Sequence, residues 1–166
     1  MTRYILYSDW ACSGNPWPWW WGAVVLQDNK ILTELSWFVQ HTTNNQMELT
    51  WTIQWIKWIC EKEGISMDTW YTLELFASPD KDKNNQIHLD IYTDSVYVQK
   101  WITEYIKKWR INWRRTTNKK PIANIDLWIE LDRLDRKIDI VRHWVKGHNW
   151  NHYNELVDQL ATKSLY

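Results

Sequence analysis

Two aspartates in this chain stand where predicted β-strands end. Residues 89–93 are rich in β-forming residues, and Asp94 follows them directly, ahead of Ser95, which favours the start of a helix. Residues 4–8 form a similar run near the N-terminus, and it ends in Asp9. Ligands of open α/β sheets bind beyond the carboxyl ends of the strands. The two aspartates therefore predict a site for a hard cation at one edge of a sheet.

Two further carboxylates and a histidine can join this site. Glu48 is expected close to the N-terminus of a helix, where the dipole favours an anion, and Asp158 lies within the last predicted helix. Magnesium prefers oxygen ligands, and two such ions about 3.5–4 Å apart can clamp the attacking water and the leaving oxygen of a phosphodiester. His148 follows Gly147 in a loop, where an imidazole that titrates near neutral pH could relay protons. The predicted metal ligands are Asp9, Glu48, Asp94 and Asp158.

The hydrophobic pattern predicts the elements that position these residues. Three antiparallel strands are predicted over 3–9, 21–27 and 31–40, with a hairpin turn at 28–30. A helix capped by a Thr or Asn of 42–45 runs to about Gly64, and its buried face is predicted from Met47, Trp51, Trp55, Trp58 and Ile59.

The second half of the chain alternates helices with strands. After the central strand we predict two short helices within 95–109, a helix over 125–135, a strand over 138–145 and a helix over 154–165. Strands joined by helical crossovers pair in parallel. The predicted fold class is therefore α/β, with a mixed sheet flanked by helices in a single domain over residues 1–166.

Composition narrows the function classes. The 20 Lys and Arg balance the 20 Asp and Glu, so net charge does not indicate a nucleic-acid partner. Cys12 and Cys60 form no CxxC pair, and the N-terminus has no signal-peptide pattern, so we expect a reduced, cytoplasmic protein. No apolar run approaches the ~18 residues of a membrane span, so no membrane partner is expected.

One segment is strongly basic. Residues 100–120 contain eight Lys and Arg against one acid, Glu104, with Trp101, Trp109 and Trp113 interleaved. This clustering favours a surface that follows nucleic-acid phosphates, because backbone contacts dominate such affinity. A solvated charged face is the alternative interpretation.

Five short motifs, taken in order, resemble the ribonuclease H type 1 family. They are Ser8-Asp9, TTNNQMEL at 42–49, YTDS at 92–95, VKGH at 145–148, and Asn154-Glu155 through DQLA at 158–161. Residues 107–128 also resemble the basic protrusion of the family's bacterial members. Each motif alone has low specificity, but together they span nearly the whole chain.

The resemblance implies a ribonuclease H-like five-stranded sheet, with three antiparallel strands and then parallel ones. It implies an endonuclease that cleaves the RNA strand of RNA–DNA hybrids, as a cytoplasmic monomer, with two Mg²⁺ ions for which Mn²⁺ can substitute. The family's catalytic and metal-binding acids carry over to Asp9, Glu48, Asp94 and Asp158, and its mobile histidine to His148. Its substrate contacts carry over to Asn15, Thr43, Asn44 and Gln46, and those of the basic protrusion (about 100–120) to Lys107, Lys108, Arg114, Lys119 and Lys120.

The chain departs from the family pattern in two respects. It contains 16 Trp and 4 Gly, and tryptophan stands at family glycine positions 10, 17, 19, 20, 101 and 150. If those glycines adopt positive φ, each bulky replacement is strained by about 1–3 kcal/mol. Residues 65–88 form an extra segment, in which 70–76 are a candidate strand. An altered variant of the family would explain the tryptophans, and a non-catalytic module that binds hybrid or double-stranded RNA is then the alternative function.

Overall fold

The computed structural model describes residues 1–12, 19–39, 42–65, 84–95, 122–145 and 152–163. Within them are five strands and three helices: β1 Thr2–Cys12, β2 Trp19–Gln27, β3 Lys30–Val39, α1 Asn44–Lys62, β4 Asn84–Thr93, α2 Ile125–Lys137, β5 Ile138–Trp144 and α3 His152–Lys163. The predicted strand at 70–76 and the short helices of 96–109 lie outside the described residues. No helix of the described part is both long and apolar enough to cross a membrane.

The strands form one sheet in the order β3-β2-β1-β4-β5. β1, β2 and β3 pair antiparallel, whereas β4 pairs parallel with β1 and with β5. The predicted mixed sheet is therefore confirmed. Because β1 and β4 are parallel neighbours at its centre, their carboxyl ends lie at the same edge.

The hairpin between β2 and β3 turns on two residues with positive φ. Asp28 has φ 49° and Asn29 has φ 65°, so both central residues occupy the left-handed region. A two-residue turn of this kind matches the twist of the flanking strands, and Asn and Asp tolerate that conformation. The predicted turn at 28–30 is confirmed, except that Lys30 already belongs to β3.

Helices cover the sheet on both faces. The main core joins β1 and β4 to α1 and α2 through residues such as Leu6, Ile91, Ile56 and Leu131. On the opposite face, α3 packs on β1 and β2, with Val157 buried against Tyr7 and Val24. The sheet edge that carries the candidate acids therefore lies between two helical layers.

The long helix begins as its sequence signal predicts. Thr43 is the N-cap of α1, and its side chain and that of Gln46 accept reciprocal backbone hydrogen bonds in a capping box. Two details of α1 were predicted wrongly. Trp58 is 36% exposed rather than core, and Glu48 is the fifth helical residue, beyond the first turn, where the dipole falls off.

The tryptophans at positions 10, 19 and 20 are not strained by their backbone. All three lie within β1 or β2, in paired strand conformation, and none has positive φ. Extended backbone accepts any side chain, so the predicted strain is absent at these positions. Positions 17, 101 and 150 lie outside the described residues.

Candidate active site

The strand register brings two of the predicted acids side by side. Leu6 pairs with Ile91 and Tyr7 with Tyr92 in the parallel β1–β4 ladder. Continued for two residues, this register sets Asp9 opposite Asp94, and neighbouring strands lie about 4.8 Å apart. β4 ends at Thr93, whereas β1 continues to Cys12 along β2. Asp94 therefore lies just beyond the end of β4, whereas Asp9 is still part of β1.

Helix α1 brings a third acid to the same place. One pocket is lined by Ser8, Asp9, Trp21, Met47, Glu48, Trp51, Thr52, Thr93 and Asp94. All three of its carboxylates are half-buried, and they come from β1, α1 and the end of β4. The structure thus gathers Asp9, Glu48 and Asp94 around a single cavity.

The fourth predicted acid lies on α3 and does not line this pocket. Asp158 is half-buried, and its backbone carbonyl accepts a hydrogen bond from Thr162 Oγ1 at 2.8 Å. Gly22 sets how closely α3 approaches the sheet, because a Cβ at this residue would lie 2.4 Å from Val157 O. Gly22 is also the cross-strand partner of Asp9. The close contact between Val157 and Gly22 therefore holds this part of α3 against β2, the strand next to Asp9.

The donor types in the pocket are those that hard divalent cations prefer. Three carboxylates supply hard oxygen ligands, and Mg²⁺ is usually bound through one or two carboxylates plus waters and substrate phosphates. Among the residues that the structure describes, no group of three or more His, Cys, Asp or Glu side chains is spaced to hold a metal ion. The fit therefore rests on the shared pocket and on the type of its ligands.

Two indoles form the apolar part of the pocket. The rings of Trp21 and Trp51 lie 3.9 Å apart between centroids, tilted by 30°, and Trp51 Nε1 donates to Met47 Sδ at 3.0 Å. Trp21 is 5% exposed, and its Nε1 has no hydrogen-bond partner among the residues that the structure describes. The two indole rings thus line the pocket on the side formed by β2 and α1.

Three of the predicted substrate contacts stand at the start of α1. Thr43 and Gln46 are exposed and engage each other in the capping box, whereas Asn44 is half-buried, with an Oδ1 atom that has no partner in the described part of the chain. The other predicted contacts, Asn15, Lys107, Lys108, Arg114, Lys119 and Lys120, lie outside the described residues, as does His148. Their placement remains a prediction.

Sequence reasoning missed an ionic cluster around the buried Asp90, on the face of the sheet that α3 covers. Asp90 is 2% exposed and accepts hydrogen bonds from Arg3 Nε and Nη2 at 2.9 and 2.8 Å, while His143 Nε2 lies 2.6 Å from its other oxygen. His88 lies between Asp90, at 3.3 Å, and Asp139, at 2.6 Å. The cluster links β1, β4 and β5. Its sequence signal was the alternation of His88 and Asp90 with apolar residues in β4.

The charges around Asp90 favour its ionised form. Burial acts to raise the pKa of this carboxyl, but hydrogen bonds from His143 and Arg3, together with the charges of Arg3 and His88, outweigh burial and hold the pKa below its ordinary value. The Asp90 carboxylate therefore links β4 to Arg3 of β1 and to His143 of β5.

Comparisons with known proteins identify the family to which the chain is similar. The family model described as RNase H matches residues 1–166. Curated relatives named Ribonuclease H include one from Ehrlichia ruminantium (strain Gardel), 41% identical over 165 residues that cover 99% of this chain and 96% of that protein. Another, from Ruthia magnifica subsp. Calyptogena magnifica, is 39% identical and covers 99% and 97%.

Solved structures share the fold at lower identity. LC9-RNase H1, described as a type 1 RNase H with the type 2 active-site motif, matches with a TM-score of 0.70 and 22% identity, over 98% of this chain and 71% of that one. LC11-RNase H1 in complex with RNA/DNA hybrid matches with a TM-score of 0.54 and 17% identity, over 98% and 99%. At such identities these matches establish the fold alone.

Proposed function

The chain belongs to the ribonuclease H family, and we propose that it hydrolyses the RNA strand of RNA–DNA hybrids at the pocket lined by Asp9, Glu48 and Asp94. The observation that supports this proposal is that three acidic residues, from β1, α1 and the end of β4, line one cavity. Phosphodiester hydrolysis needs negative charge neutralised at both the attacking and the leaving oxygen. An acidic pocket that collects divalent cations meets that need.

We propose Mg²⁺ as the resident ion, with Mn²⁺ as a substitute. Asp9, Glu48 and Asp94 would hold it, and Asp158 would join them from α3. Two bound divalent ions would supply activation of the attacking water and stabilisation of the leaving oxygen. The protein's part would be to fix the carboxylates on rigid elements, and the parallel pairing of β1 with β4 supports this role. His148 would move the proton, as its family motif predicts.

The start of α1 supports recognition of a ribose next to this pocket. Asn44 and Gln46 can both donate to and accept from a 2′-hydroxyl, the group that distinguishes RNA from DNA. Asn44 Oδ1 is buried and makes no hydrogen bond within the described residues, so the side chain would have to turn outward to accept one from a ribose. A relative of the same fold was solved with RNA/DNA hybrid. The basic residues predicted at 100–120 would then contact the phosphates beyond the cleavage site.

Cleavage of a labelled RNA–DNA hybrid in Mg²⁺ tests the proposal. The folded protein should nick the RNA strand, leave a DNA duplex intact, and stop when the metal is chelated. Asp94→Asn should abolish nicking while keeping hybrid binding, because the amide retains the shape of the side chain and loses its charge. Folded wild-type protein that leaves the hybrid uncut would end the nuclease proposal.

A binding module without turnover is the second candidate. The Trp21–Trp51 pair beside the acids favours it, since bulky rings limit the space for hydrated ions. This candidate predicts hybrid binding that weakens steeply with salt, but no product. A filter-binding titration at several ionic strengths, run beside the cleavage assay, separates the two candidates.

A further inference from the structure

A buried hydroxyl outside the pocket lining contacts Glu48, one of the acids that line the pocket. Ser95 is 7% exposed and lies one residue beyond Asp94. Its Oγ donates to Glu48 Oε2 at 2.5 Å, across 47 positions of sequence. Water has little access to this hydroxyl, so its bond to the carboxylate is a built contact between the end of β4 and α1.

The segment that carries Ser95 is itself held on several sides. Ser95 N donates to Thr93 Oγ1 at 3.1 Å, and Val145 N donates to Thr93 O at 3.0 Å. Trp144 Nε1 donates to the carbonyl of Asp94, also at 3.1 Å. These bonds anchor residues 93–95 to the end of β5. The backbone at Ser95 is therefore held in place, so its hydroxyl can orient the longer Glu48 side chain.

We propose that Ser95 is a positioning residue that fixes the Glu48 carboxylate for the metal-dependent reaction. A glutamate side chain has three rotatable torsions, and one charge-assisted hydrogen bond at Oε2 selects the rotamer that directs the carboxylate into the pocket. The plane of the carboxylate then determines where its second oxygen lies relative to Asp9 and Asp94. This inference rests on the proposed function of the pocket and adds a residue to it.

Steady-state cleavage kinetics on three Ser95 variants test the role. Ser95→Ala removes the donor, Ser95→Cys leaves a weak one of similar size, and Ser95→Thr keeps the hydroxyl. A hydrogen bond to a charged group corresponds to about a 10- to 100-fold effect. We expect kcat to fall by that factor in the Ala variant and less in the Cys variant, to recover in the Thr variant, and KM for the hybrid to stay within about twofold.

Thr162→Val is the matched control. Thr162 Oγ1 donates to the backbone carbonyl of Asp158 at 2.8 Å, so its loss removes a hydroxyl beside another predicted acid without touching the carboxylate. Thermal melts of all variants accompany the kinetics. Equal losses of kcat in Ser95→Ala and Thr162→Val, or a Ser95→Ala variant with wild-type kcat, would overturn the positioning role.

Crystal structures of the wild type and of Ser95→Ala provide a readout that does not need activity. The Glu48 carboxylate should leave its wild-type rotamer when the hydroxyl is absent and keep it in Ser95→Thr. An unchanged Glu48 rotamer in Ser95→Ala refutes the inference even if the wild type cuts hybrid. If the wild type does not cut hybrid, the proposed function fails, and the rotamer comparison still decides whether Ser95 positions Glu48.

Discussion

Replacing Gly22 by alanine should disturb the candidate site from the opposite face of the sheet. The new Cβ would lie 2.4 Å from Val157 O, 2.8 Å from Leu160 Cβ and 3.0 Å from Ala161 N. Two of these atoms belong to the backbone of α3, so no side-chain rotation relieves the contact. The helix must therefore move away from β2 by about 1 Å to restore an ordinary van der Waals distance.

The displacement determines the expected magnitudes. Overpacking of this kind costs about 1–3 kcal/mol, which lowers Tm by roughly 2–12 °C in a domain of this size. Asp158 follows Val157 on the helix that moves, and a misplacement of about 1 Å in a catalytic constellation can cost on the order of 100-fold in rate. We therefore expect kcat to fall well beyond any change in KM for hybrid.

Gly64→Ala is the control, measured by thermal melts and hybrid cleavage. Gly64 has φ +69°, and a Cβ there meets nothing within 4 Å, so alanine is strained without a clash. It should cost about 1 kcal/mol and leave kcat unchanged, because Gly64 lies just past the far end of α1. A Gly22→Ala protein with wild-type kcat would show that the function of Asp158 does not depend on how closely α3 packs on the sheet.

Three further substitutions test the packing and the charges. Asp90→Asn should lower the free energy of unfolding by about 2 kcal/mol at pH 7. Because the pKa of this carboxyl is lowered in the fold, the ionised carboxylate stabilises the protein above about pH 4, and this stabilisation is lost as the pH falls through the folded pKa. Denaturant melts of wild type and variant should therefore converge in acid. Burial raises the pKa of the Cys60 thiol to about 11, so in a Cys12→Ser background it should react with a disulfide reagent at pH 8 only after denaturation, and rapid labelling of native protein would contradict its burial. Trp55→Phe should cost less than about 1 kcal/mol in thermal melts, because the lost contact area is offset by removal of a buried indole N–H that has no partner within the described part of the chain. A loss of several kcal/mol would show that the N–H is satisfied.

Local signals predicted the elements that depend on local chemistry. The Asp28–Asn29 turn uses residues that tolerate positive φ, and the start of α1 uses the capping box of Thr43 and Gln46. Both are decided by atoms within a few residues, so the sequence alone contains the information. The order of strands and crossovers then restricts the sheet to few topologies.

Tertiary pairing decided what the sequence could not. β1 extends to Cys12 because Cys12 pairs with Trp19, and that partner is known only once the hairpin register is set. Trp58 has the helical spacing of a core residue. Whether it is buried depends on where the sheet and α2 pack against α1, and they leave Trp58 partly exposed. Asp90 was read as part of a β-rich run, because its partner Arg3 lies 87 positions away.

The site is less sensitive to the abundant tryptophans than composition suggests. Asp9 is held by the backbone pairing of β1 with β2, and Asp94 directly follows β4, so a substitution at position 10 does not alter either placement directly. Glu48 is placed by α1 and oriented by Ser95, while Trp51, one turn further along, fills space towards Trp21. Register and the Ser95 hydroxyl therefore contribute to the placement of the acids, whereas the indoles set how much room lies beside them. It follows that replacing Trp51 by alanine should change metal affinity and kcat more than it changes the direction of any carboxylate. Calorimetric titration of Mg²⁺ together with a crystal structure of that variant would check this division of roles, and a rotated Glu48 in the structure would contradict it.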